Sequence, residues 1–247
     1  MRKRIFIALM ASLPTFWAVL PPAAAQSFDD AVALTVNGEW LMAADIGAAL
    51  GTSEGYALAA QALAIYGYHV APKEEKQPLF QRGMDYAEKA IALGPDSSEA
   101  YLQASHAMGR YAQTIGVLEA LSDGYADRIK DVLDKAIALD PKNFNAYVSL
   151  GAWNAEIVNS AGIMAKVLYG ATEENALASY ARALEIAPDS ASVNLEYAIG
   201  LLTLDKNDNA AEARKYFQRA IDLPVADAYG LIVRESAQRR LAAMDGK

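Results

Sequence analysis

Apolar and polar positions alternate along this chain with helical periodicity, and four stretches close in the same way: Ala87–Pro95, Leu133–Pro141, Tyr180–Pro188 and Phe217–Pro224. In each, a small residue (Ala90, Ala136, Ala183, Ala220) sits where it permits close helix–helix approach. The apolar residues that follow are expected to face a core: Ile91 and Leu93, Ile137 and Leu139, Leu184 and Ile186, Ile221 and Leu223. The terminal proline has no amide donor and pushes the residue before it out of helical geometry, so each helix stops there. After the first three prolines the chain turns and starts a new helix. Asp96-Ser97-Ser98-Glu99 and Asp189-Ser190 supply the side-chain oxygens that cap its exposed amides.

The rest of the pattern is helical too. Residues 29–50 read as one N-terminal helical segment ended at Gly51, and 56–68 as the first helix of a first repeat. Residues 71–78 read as a polar connection, and 226–244 as a capping helix. The closing prolines are 46, 47 and 36 residues apart, so two units are oversized against the common helical-repeat period of about 34. The excess falls in matching places, Gly116–Gly124 and Gly162–Gly170, each bracketed by glycines eight apart and offset by 46 residues. A shared insertion of this kind is an architectural feature rather than loop noise.

These features together resemble the tetratricopeptide repeat. The third unit shows the aromatic and Leu-Gly step as Tyr147 and Leu150-Gly151. The fourth unit matches through Ala213, Phe217 and Ala220, the third through Ala176, Tyr180 and Ala183; the first two depart from the pattern at Gly83 and Ile129. The expected fold is an all-α, tetratricopeptide-like α-solenoid of antiparallel helix pairs with two enlarged repeats. The enlarged repeats, and the stretch from Leu133 to Tyr180, also resemble the regulator of microtubule dynamics family and the periplasmic T component associated with TRAP transporters. That resemblance implies partner binding by a helical superstructure, near a solute transporter's substrate-binding protein in the second case.

The N-terminus has the layout of an export signal: Arg2-Lys3-Arg4, the apolar run from Ile5 to Leu20, then Ala23-Ala24-Ala25 ahead of Gln26. At 16 residues, with Pro14 inside, the run is short for a bilayer span of about 20 residues, so cleavage is expected rather than anchoring. The organisation expected is a signal peptide (1–25), an N-terminal helical segment (26–52), four repeats (about 53–95, 96–141, 142–188 and 189–224) and a C-terminal cap (225–247). Loss of residues 1–25 removes three positive charges and no negative ones, leaving 19 Lys+Arg against 30 Asp+Glu, a net charge of −11. So acidic a chain is a poor match for nucleic acid or anionic membranes, and no insertion into a membrane is expected after cleavage. The destination expected is the periplasm. With no cysteine, no disulfide framework or lipid anchor is available, and stability must come from buried apolar surface.

Little in the sequence carries catalytic chemistry. The two histidines, His69 and His106, have no acidic residue one helical turn away, so no metal site is expected from them, and no cofactor. Gly-x-Ser-x-Gly, phosphate-loop, dinucleotide-glycine and His-Glu-x-x-His signatures are absent. Asp205-Lys206-Asn207-Asp208-Asn209 alternates oxygen ligands as a calcium loop does. Ala210 and Tyr216, however, stand where glycine and a bidentate glutamate are required, so a polar turn is expected.

Binding is the better expectation. Stacked repeats line a concave face with the first helix of each unit. Counting from each proline, that face should carry Glu99, Leu102, His106 and Arg110, then Asn145, Val148 and Glu156, then Leu195 and Ile199. With Arg110 as its one strong cation, such a groove suits an apolar or weakly polar ligand, or a protein or peptide partner. The insertions place Ile115, Val117, Leu118 and Leu121, then Ile163, Met164, Val167, Leu168 and Tyr169, in what reads either as a ridge for a partner or self-association, or as core. The function expected is a non-enzymatic periplasmic binding or adaptor protein; the alternative is a structural or assembly factor of the cell envelope.

Overall fold

A computed structural model describes residues 26–246, and within them the chain is all helical. The expected signal peptide lies outside the described residues. Thirteen helices follow one another: α1 (Phe28–Asn37), α2 (Trp40–Ala49), α3 (Ser53–His69), α4 (Lys73–Leu93), α5 (Ser98–Ile115), α6 (Val117–Ser122), α7 (Tyr125–Leu139), α8 (Phe144–Ala161), α9 (Met164–Tyr169), α10 (Glu173–Ile186), α11 (Ala191–Leu204), α12 (Ala210–Asp222) and α13 (Ala228–Met244). The solenoid is built from the pairs α3/α4, α5/α7, α8/α10 and α11/α12, with the six-residue helices α6 and α9 inserted in the two middle pairs.

Local chemistry accounts for the element ends. Thr52, Ser97, Asn143 and Ser190 each accept a backbone N–H of the first turn of α3, α5, α8 and α11, the N-cap arrangement. A second contact locks the first two pairs. Ser53 Oγ donates to the carbonyl of Ala90 at 2.8 Å, and Ser98 Oγ donates to that of Ala136 at 2.9 Å. The small residues of the closing helices (Ala90, Ala136, Ala183, Ala220) are all buried. In the third pair Tyr180 of α10 is wedged against Gly151 of α8 and Gly200 of α11, where its ring takes the space of a missing Cβ.

Four expectations need correction. The N-terminal segment is two helices rather than one: Gly38 takes φ +84° and turns the chain, ending α1. The stretch 71–78 is not a connection, because α4 starts at Lys73 and runs through Pro78, which stands in its second turn and leaves the Glu74 carbonyl without its intrahelical donor. Leu93 does not face the core: it is 56% exposed at the last residue of α4, beyond its neighbours' reach. Finally, α13 does more than cap the last repeat. Its Ala228, Tyr229 and Ile232 pack against the N-terminal core of Trp40, Ala43, Leu58 and Leu63, while Val233 and Ala237 pack with α11 and α12. The last helix therefore touches both ends of the solenoid, and the inner helices α3, α5, α8, α11 and α13 run around a common centre.

Candidate functional site

That return of α13 shapes a central, half-open cavity of about 780 Å³, walled by the inner helices and bordered by α6, α7 and Tyr180 of α10. Of the residues expected in the groove, His106, Arg110, Glu156, Leu195 and Ile199 line it. Leu102 does not: it is fully buried with Leu133, Ala136 and Ala146, one turn back from His106, where α7 and α8 converge. Glu99, Asn145 and Val148 also lie outside the lining, nearer the N-terminal ends of α5 and α8.

The lining is more charged than expected. Arg239 and Arg240 of α13 join Arg110, together with Glu196 of α11 and His69 and Tyr229. The sequence reads 226–244 as a capping helix, and no local signal in it shows the return that brings the two arginines into the cavity. Glu196 is placed on the cavity side of α11 by the same one-turn spacing that brings Ile199 and Thr203 there.

Arg110 is the electrostatic centre. Its guanidinium lies 3.5 Å from the centroid of the Tyr68 ring, a stacked cation–π contact, and it donates to Gln113 Oε1 at 3.1 Å. Burial raises the carboxyls of Glu156 and Glu196 above their ordinary value, with Arg110 opposing in both cases. Among the described residues neither carboxylate has a basic side chain within 4.0 Å. Burial likewise pushes Tyr229 up to about 12.

Burial, helped by Arg110, lowers His106 to about 4, so this ring is neutral, whereas His69 stands exposed at the end of α3. His106 belongs to a hydrogen-bonded chain across the α5–α8 contact. Gln103 donates its amide N–H to Glu99 at 2.6 Å, which leaves Gln103 Oε1 as the acceptor for His106 Nδ1 at 3.2 Å. Nδ1 therefore carries the proton, and Nε2 accepts from the Ser149 hydroxyl at 2.9 Å. A ring satisfied on both sides is a structural histidine that sets one wall of the cavity.

Elsewhere, Asp205 Oδ1 accepts the backbone N–H groups of Asn207 and Asp208 at 2.8 and 2.9 Å, which holds its carboxyl below the usual range in an ordinary capped turn. Among the described residues no cluster of three or more His, Cys, Asp or Glu is placed to hold a metal ion. No helix of the described residues is long and apolar enough to cross a membrane. On the insertions, Val117, Leu118, Ile163, Met164, Val167 and Leu168 point outward, from 45% exposed at Met164 to 90% at Ile163. Ile115, Leu121 and Tyr169 are half-buried and pack inward.

Comparison with known proteins gives this arrangement relatives. The family model described as Regulator of microtubule dynamics protein 1-3 matches residues 53–245. Regulator of microtubule dynamics protein 3 of Bos taurus is 28% identical over 158 residues, 61% of this chain and 32% of its own length. Regulator of microtubule dynamics protein 1 of Caenorhabditis elegans is 28% identical over 166 residues, 63% of this chain and 70% of its own. The chain thus spans about a third of the length of the cattle relative. Among solved structures, a thermophilic tetratricopeptide-repeat protein of Thermus thermophilus superposes with a TM-score of 0.59 at 18% identity, covering 86% of this chain and 97% of that one. That likeness is one of fold.

Proposed function

The chain belongs to the regulator of microtubule dynamics protein 1-3 family, and on that premise we propose that it is a non-catalytic binding module whose closed helical ring holds a charged ligand in its central cavity. One observation carries the reading: Arg110, Glu156 and Glu196 face a shared cavity without pairing to one another. Arg110 and Glu196 are half-buried; unpaired charge that is partly desolvated is costly, and a ligand with complementary groups removes that cost. A guanidinium already oriented by Tyr68 offers a planar fork to a carboxylate or another anionic group. The ligand is either a solute or the end of a partner's peptide. A purely apolar ligand would leave these groups unanswered.

Our reading places the protein in the periplasm, after cleavage behind Ala25. In its favour, cleavage there leaves the α1 cap intact: Ser27 Oγ accepts from Asp30 N, and Asp30 accepts from Ser27 N. Mass spectrometry of the exported protein should show Gln26 at the N-terminus; retention of Met1 in the membrane fraction contradicts export. Within this reading the partner is a substrate-binding protein of a solute transporter, with envelope assembly as the alternative role. The relatives' name refers to microtubule dynamics; what we carry over to this chain is binding by the ring, not that partner.

The cavity is tested by native mass spectrometry of protein released gently from cells. The expected spectrum shows a noncovalent adduct in the wild-type chain that is absent from Arg110→Ala at unchanged melting temperature, with the released ligand chemically unaltered on return. Identical, adduct-free spectra across all added carboxylates and peptides would overturn the proposal, as would steady conversion of the ligand.

A further inference from the structure

The short helices α6 and α9 each present apolar side chains that no part of the described chain covers. Each begins after a glycine at positive φ and ends against another: Gly116 (+93°) and Gly124 (+73°), Gly162 (+53°) and Gly170 (+66°). These turns let a six-residue helix leave one long helix and rejoin the next, at equivalent positions of successive repeats. One residue of each helix is driven inward, Ala120 and Ala165, and both helices back onto one core cluster through Leu121 and Tyr169. Their other faces carry Leu118 (85% exposed), Ile163 (90%) and Val167 (75%), with Val117, Met164 and Leu168 about half exposed. Nothing inside the chain requires six large apolar residues there; an inter-helix turn is ordinarily polar.

From this face we infer that the chain pairs with a second copy of itself, α6 of one copy lying against α9 of the other about a two-fold axis. Area and charge both support this occupant. At roughly 100 Å² per fully exposed aliphatic side chain, the six contribute about 400 Å² of apolar surface. That is most of the apolar share of a standard interface of about 800 Å² per partner. The charges are complementary between the two helices: α6 and its C-cap carry Glu119 and Asp123, whereas α9 carries Lys166, all exposed and none in an ion pair among the described residues. A two-fold axis makes the pairing self-consistent, since each Lys166 meets the partner's acidic helix and the match occurs twice. An anionic bilayer would instead face Glu119 and Asp123. Because Val117 also lines the cavity, the interface borders the cavity mouth.

Sedimentation velocity on the mature full-length chain, over a concentration series, tests the pairing. The wild type is expected to form a dimer, and Leu118→Asp with Val167→Asp to be monomeric at an unchanged melting temperature, since both positions lie outside the packed core. Lys166→Glu alone should weaken dimerisation about tenfold, because two exposed pairs are lost. Mixing Lys166→Glu with the Glu119→Lys, Asp123→Lys chain should restore a heterodimer. A wild type that stays monomeric throughout the series overturns the inference. So does a monomer that instead binds neutral phosphatidylcholine vesicles, or a charge-swapped mixture that fails to reassociate while Leu118→Asp still dissociates the wild type.

Discussion

At the scale of single residues, the chemistry of the third repeat pair turns on Tyr180, which is 1% exposed and pressed against two glycines. A Cβ added at Gly151 would lie 2.9 Å from the ring, and one at Gly200 would sit closer still. A buried aromatic held between two helices has no rotamer to retreat to, so Gly200→Ala should destabilise by about 2–3 kcal/mol in urea unfolding. A neutral result would mean that the ring is mobile. His106 gives a pH signature. Its folded value of about 4 lies below the unfolded value near 6.5, so between these the unfolded chain binds a proton that the folded chain refuses. Stability from this residue is therefore fully present above about pH 6.5 and is lost as pH falls toward 4. Relative to His106→Gln, the wild type should lose about 2 kcal/mol between pH 7 and pH 4.5. The raised carboxyls of Glu156 and Glu196 work in the opposite sense, and comparison with a variant that keeps them cancels their part. His106, Arg110 and Glu156 were legible from helical spacing alone. Leu102 was not, because the spacing that gives a face does not show where neighbouring helices close over it.

Among the elements, the ones bounded by chemistry were the ones the sequence made plain. The closing alanines and prolines, the Ser and Thr caps and the glycine brackets each have a local physical meaning, and the helices that close at Pro95, Pro141, Pro188 and Pro224 follow from them. Two elements run against the local pattern: Asn37-Gly38 is a turn pair that splits the first segment, and Pro78 lies inside α4 although proline ordinarily ends a helix. The insertions behave as two-faced elements, which separates core from surface within one short helix. Ala165 is 1% exposed and Val167 75% exposed, two residues apart on α9. Ala165→Asp buries an unpaired carboxylate and should cost about 3 kcal/mol or more, whereas Val167→Asp should leave the melting temperature within a degree or two. Equal losses would mean that α9 packs wholly inward.

On the scale of the whole molecule, the step that local reasoning could not reach is the return of α13 to the first repeat. It rests on contacts between residues about 190 apart, such as Ala228 against Gly38, and nothing within either segment encodes it separately. Closure converts an open concave face into a cavity and brings Arg239 and Arg240 opposite Arg110, so the charged site depends on it. Distance measurement between spin labels tests closure most directly. The chain has no cysteine of its own, so labels can be placed at Val36→Cys on α1 and Leu231→Cys on α13, both exposed positions on neighbouring helices. With packed helix axes about 8–10 Å apart, the account predicts a single narrow distribution within about 25 Å. A broad distribution centred well beyond that, as an open solenoid would give, would contradict it.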